Sequence, residues 1–269
     1  MIGVELRKLC RRPRTWVSIG LLCALPALVA VFLAATDVGP RPGQQPAFLS
    51  AVLSNGALFP AAALALVLPL FLPVAVAIVA GDAIAGEANA GMLRYLLIRP
   101  VHRTRLLVAK LLSMIVFVLL AVVAVAGSSY LVGINLFHAE PGAVTSVSGT
   151  TLSTTHLMLR IAAAMLYVGF SMLGVGAIAL FLSTMTDSPL AATLGALAAL
   201  VASQVLVALD AAASVRPYLP TRYWLAWIDL FREPILWRDV NRGLAIQAVY
   251  VLVFLGAAWA NFATKDVTS

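Results

Sequence analysis

The chain has 269 residues, 62% of them hydrophobic and only 11% charged, with a mean hydropathy of +1.00. A soluble domain cannot hide that much apolar surface, so a soluble enzyme, a disordered chain and a small disulfide-stapled secreted domain are excluded. The net charge of +7 gathers in two basic clusters beside apolar runs, which points to topology and lipid headgroups and away from nucleic acid. What remains is a polytopic membrane protein, and the length suits six helical spans of roughly 20 apolar residues each.

Residues 1–15 read as an interfacial amphipathic helix. Ile2, Leu6, Leu9 and Cys10 can face lipid, while Arg7, Lys8, Arg11 and Arg12 reach headgroups or a partner; the alternative is a plain topology anchor. The first apolar run, Trp16–Thr36, is too long for the core of a cleavable signal peptide and is read as a span. Cys10 and Cys23 lie too near the start to staple distant loops, so both are expected as free thiols. The second run, Ala57–Ala80, holds Pro60, Pro69 and Pro73. Pro69 and Pro73 each free an intrahelical carbonyl, so a kink is expected there, as a hinge or as a static bend.

Gly81–Lys110 follows. Ala83–Ile98 can be helical, and on such a helix Glu87, Ala90, Gly91 and Arg94 share one face, small in the middle and charged at both ends. Arg99-Pro100 ends the helix, because proline disfavours helical geometry at the residue before it. His102, Arg103 and Arg105 then meet the headgroups at the base of the third run. The plainer reading of the whole segment is a solvated basic loop that only sets topology.

The third run, Leu106–Phe137, exceeds one bilayer crossing, so its end around Gly127, Ser128, Ser129 and Gly133 is expected to tilt, break or extend outside. Ile161–Met185 and Pro189–Leu209 are the fourth and fifth runs. In the fifth, Ala191, Gly195, Ala199 and Ser203 form a small-residue stripe that packs within the bundle or across a dimer. Gln204 beside it either faces a cargo path or hydrogen-bonds a neighbouring helix. In the next loop Tyr223, Trp224, Trp227, Ile228 and Phe231 make one apolar face, with Arg222 and Arg232 outside it. Three of the five tryptophans lie in Trp224–Trp237, which reads as an interfacial aromatic belt. Leu244–Phe262 is the sixth run.

Eleven of the 18 Lys+Arg fall on the side that carries both termini and seven on the other, so both termini are expected in the cytoplasm. Apart from Lys110 near the start of the third, none of the six runs contains Asp, Glu, Lys, Arg or His, which argues against a proton-coupled transporter. No catalytic constellation is present: no run holds a His base for Ser171, the one Lys of the runs, Lys110, stands at the start of the third, and no His pair has metal-binding spacing. Gly86 and Gly91 have the gap of a phosphate loop, but Met92 and Leu93 stand where Lys and Ser/Thr are needed. The chain is therefore expected to be no enzyme and to bind no metal or cofactor, and any driving ATP is bound by another chain.

The pattern Glu87, Gly91, Leu93, Leu97, Pro100, Arg103, Lys110 resembles the segment between spans two and three in permeases of type-2 ATP-binding-cassette (ABC) transporters. Met92 stands where that family usually has Thr, while Pro100-Val101 and Arg103 keep its form. Glu5-Leu6-Arg7-Lys8, Arg12-Pro13 and Trp16 resemble the family's amphipathic N-terminal helix. The resemblance implies an all-α integral membrane fold, a single permease domain over residues 1–269 with six transmembrane helices. It implies a cytoplasmic coupling helix carrying Glu87, Ala90, Gly91 and Arg94, with Pro100 and Arg103 shaping the turn, that contacts a separate ABC ATPase subunit. Two copies of that ATPase would hold ATP and Mg and serve two permeases, a second copy or a paralogue. They would sit in the inner (plasma) membrane and export hydrophobic or amphiphilic cargo by alternating access. In that family a segment such as Tyr223–Phe231 dips into the outer leaflet. The rival readings are an ion-coupled or passive transporter and a membrane assembly subunit that moves nothing.

Overall fold

The computed structural model describes residues 2–36, 56–91, 103–137, 144–145 and 151–264. Among them, six helices are long and apolar enough to cross a membrane. A short amphipathic helix, α1 (Ile2–Arg11), precedes the first span, α2 (Pro13–Thr36). Pro13 opens α2 at a position where its missing N–H is not needed.

The second run is broken rather than bent. A 3-10 turn (Gly56–Leu58) leads into α3 (Phe59–Val67); the chain then leaves the helix at 68–70 and resumes as α4 (Phe71–Asn89). Pro73 lacks the N–H that would bond the carbonyl four residues earlier, that of Pro69. Gln204 Nε2 from the fifth span donates to that same Pro69 oxygen at 2.7 Å. So Gln204 bonds a neighbouring helix, and the bond seals the gap in span two. Gln204→Leu is expected to cost about 1 kcal/mol, the usual worth of a hydrogen bond between membrane helices. Thermal melting of the purified chain in detergent measures it.

The third span, α5 (Arg103–Leu136), is one continuous helix of 34 residues with no break at Gly127–Gly133. Gly133 lies backbone to backbone with Gly56, and a Cβ on either would collide with the other. From Lys110 to Gly133 the helix rises about 35 Å, slightly more than the ~30 Å hydrocarbon layer. Lys110 and Gly133 are thus far enough apart along α5 to stand at opposite edges of a membrane.

Val144–Thr145 pairs antiparallel with Thr151–Leu152 as a two-residue ladder, β1 and β2. The fourth span, α6 (Thr154–Met185), starts seven residues before its apolar run, where Ser153 accepts from the amide of His156 as an N-cap. The fifth, α7 (Pro189–Ala208), is capped by Ser188, and the sixth is α8 (Trp237–Thr264). Helix α6 is the centre of the bundle: α8, α4, α7 and α5 all pack on it. Helices α2, α7 and α8 show most of their surface to the outside.

On α7 the buried side is Ala192, Thr193, Ala196, Leu200 and Ser203. Ala191 and Ala199 point outward and Gly195 is half-buried, so only Ser203 of the small-residue stripe packs within the bundle. Its hydroxyl lies 2.8 Å from that of Thr221.

The aromatic segment packs on the bundle through its 3-10 turn Ala226–Phe231, which lies against α6 and α8. Trp224, Trp227 and Phe231 belong to the buried core, and Tyr223 is half-buried. Buried side chains of the spans staple its backbone. Tyr167 Oη donates to Tyr223 O at 2.7 Å, and Gln247 Nε2 donates to Pro220 O at 2.7 Å.

Candidate functional site

Helix α4 continues two turns past the apolar run and carries Asp82 and Glu87 on them. Both carboxylates are buried, against α1, α2 and α5. Lys110 of α5, only 4% exposed, bonds Glu87 Oε1 and lies 2.8 Å from Glu5 Oε2 of α1. Lys8 Nζ of α1 meets the same Glu87 oxygen at 2.6 Å. Around Asp82, Arg12 approaches to 2.6 Å and Arg14 to 3.2 Å. Four cations and three carboxylates thus interlock at one membrane edge.

The backbone is shaped to allow this. The Asp82 carboxylate lies across Gly86, where any Cβ would collide with it. One turn away, Ser183 Oγ of α6 donates to Gly81 O at 2.7 Å and accepts from the amides of Ile84 and Ala85. Thr193 of α7 abuts Gly81. The end of α4 is therefore held by α1, α2, α5, α6 and α7 together. Such a cluster has no nucleophile with a base, so its chemistry is positional. It locks α1, α2, α4 and α5 into one register, and a shift of any of them must break buried ion pairs.

The sequence matches the ABC-2 family of transporter proteins over residues 1–220, which takes in five of the six spans and the whole ionic cluster. The chain belongs to that family. A comparison with curated proteins finds no match. The protein is thus a multi-pass ABC-2 membrane permease, and its family works with an ABC ATPase.

Of the expected face of Glu87, Ala90, Gly91 and Arg94, only Glu87 lies within the helix as described. Helix α4 ends at Asn89 because Gly91 takes φ +66°, a left-handed conformation that glycine adopts without strain. Glu87 is 3% exposed and paired inside the chain. Ala90 and Gly91 stand exposed at the helix end, and Arg94 and Pro100 lie outside the described residues. Arg103 opens α5, and its Nη1 donates to the carbonyls of Phe262 and Ala263 at 3.2 and 2.9 Å. It therefore ties the base of span three to the last turn of span six, where a cation also suits the helix dipole.

On α1 the reading divides. Lys8 and Arg12 turn inward to Glu87 and Asp82, whereas Arg7 and Arg11 are exposed. Leu9 is buried in the core and does not face lipid. Glu5, Asp82, Arg14 and Lys110 were missed as site residues. One signal was present: Glu5, Lys8 and Arg12 fall at i, i+3 and i+7, one face of a helix. Their acidic and basic partners, 70 to 105 residues away, carry no such mark.

Proposed function

We propose that this ABC-2 protein is the membrane-spanning subunit of an exporter. It moves a hydrophobic or amphiphilic substrate, such as a drug, lipid or peptide, by alternating access. A separate ABC ATPase, two copies per pair of permease chains, binds ATP and Mg and does the hydrolysis, and this chain is no enzyme. The second permease is another copy or a paralogue, paired with Ala191 and Ala199 of α7 facing outward. Both termini lie in the cytoplasm of a cell bounded by the plasma membrane that holds the protein.

The observation that carries this reading is the buried cluster of Glu5, Lys8, Asp82, Glu87 and Lys110. It joins the N-terminal helix to the end of span two and the base of span three, and the chain leaves it directly into the basic segment 92–102. In this reading Ala90, Gly91, Arg94, Pro100 and Arg103 belong to the part that meets the ATPase, and Glu87 passes the push inward through Lys110 and Lys8. Two facts support it. The family works with an ATPase. Among the described residues, the Asp, Glu, Lys, Arg and His side chains of the six spans sit within about two turns of a helix end and none at mid-membrane, where an ion-coupled transporter needs them.

The test begins with extraction from native membranes in mild detergent, followed by mass spectrometry and an ATPase assay. An ABC ATPase is expected to co-purify. Gly91→Trp and Arg94→Glu are expected to abolish transport in proteoliposomes and its coupling to hydrolysis, Arg94→Glu with the melting temperature of the spans unchanged. Full transport in both variants, or flux from the chain alone without any ATPase, would overturn the proposal.

A further inference from the structure

Between α2 and α4 lies an apolar groove of about 340 Å³. Its α2 wall is Ser18, Leu21, Leu25 and Leu28, a helical stripe whose next member toward the N-terminus is Arg14. The α4 wall is Phe71, Val74 and Ile78, and that stripe runs on to Asp82. The Arg14–Asp82 pair, 3.2 Å apart, therefore stands at the end of the groove at the arginine-rich membrane edge.

A second pocket of about 40 Å³ adjoins that end; Lys8, Arg12, Arg14 and Thr15 line it together with the carboxylates of Glu5 and Asp82. Thr15 is 2% exposed, and its hydroxyl has no hydrogen-bond partner among the described residues. Arg12 and Arg14 share the single carboxylate of Asp82, which leaves a positive charge over, and Arg14 is more than half exposed. Arg7 and Arg11 add two further exposed cations nearby on α1.

The dimensions match one leaflet. Ser18 to Leu28 rises about 15 Å along α2, half of the ~30 Å hydrocarbon thickness. Leu21 and Leu28 are about two-thirds exposed, so the groove opens where acyl chains lie.

We propose that this is a binding site for an anionic phospholipid of the arginine-rich leaflet. One acyl chain fills the groove between α2 and α4. The phosphate lies against Arg14 and Arg12 and accepts from the Thr15 hydroxyl, since guanidinium groups and buried hydroxyls are the natural donors to phosphate oxygens. The surplus of positive charge selects an anionic headgroup over a zwitterionic one. The site does not depend on the cargo or on the ATPase partner.

The test is native mass spectrometry of the full chain in mild detergent with added phosphatidylglycerol or phosphatidylcholine. The wild type is expected to keep one phosphatidylglycerol per chain and to hold phosphatidylcholine about fivefold more weakly. Arg14→Gln is expected to erase that preference. Ala24→Trp, on the exposed wall of the groove, is expected to reduce retention of both lipids while leaving the melting temperature in lipid-free detergent unchanged. Equal retention of the two lipids by the wild type, or wild-type retention by both variants, would overturn the site. So would a disulfide between two copies carrying Leu28→Cys in a background free of Cys10 and Cys23, formed in native membranes, because the groove would then be filled by protein.

Discussion

Lys110→Met is expected to destabilise the protein by about 3–5 kcal/mol, the cost of breaking a buried ion pair from one side. Lys110 is 4% exposed and serves two carboxylates, Glu87 and Glu5. Methionine fills the same volume, so the loss is electrostatic: Glu5 loses its 2.8 Å cation and Glu87 is left with Lys8 alone. The double variant Lys110→Met with Glu87→Gln is expected to recover much of that stability, because the uncompensated charge is gone. Arg11→Ala, on the exposed side of α1, is expected to stay within about 0.5 kcal/mol of wild type. Thermal melting in detergent separates the three. A Lys110→Met protein as stable as Arg11→Ala would mean that the cluster is solvated and locks nothing.

Trp227→Ala is the second large effect, about 3–5 kcal/mol, as for other buried tryptophans cut back to alanine. Trp227 is fully buried and meets Phe231 edge-on at a centroid distance of 5.9 Å. Its removal opens a cavity under the segment that Tyr167 and Gln247 staple to the spans. Trp237→Ala is the control, because Trp237 is exposed at the start of α8 and is expected to cost less than about 1 kcal/mol. The contrast separates a core residue from an interfacial anchor, which composition alone does not.

Much of the architecture was legible from the residues. The spans follow from uninterrupted apolar runs, since every backbone polar group in lipid must bond within its own helix. Pro69 and Pro73 announced a kink in span two, because a missing N–H is a local and unavoidable fact, and the structure goes further and breaks the helix there. Gly91 was read as a mid-helix spacer when its freedom in φ makes it a terminator; glycine serves both uses and only its backbone tells them apart.

The charges at the end of span two show the limit of the sequence most clearly. An apolar run stops at the first charge, so span two was closed at Ala80, before Asp82. The helix continues to Asn89 because partners from α1, α2 and α5 meet Asp82 and Glu87 there.

The sequence by itself therefore determined that this is a six-span membrane protein, the apolar centre of each span and the prolines at which span two departs from a straight helix, for these depend on local hydrophobicity and on proline. The tertiary structure alone decided which apolar side chains face lipid and which face the core, because both surroundings are equally apolar and periodicity cannot distinguish them. It also decided which charge meets which, since ion pairs between residues 70 to 105 positions apart exist only once the helices have packed.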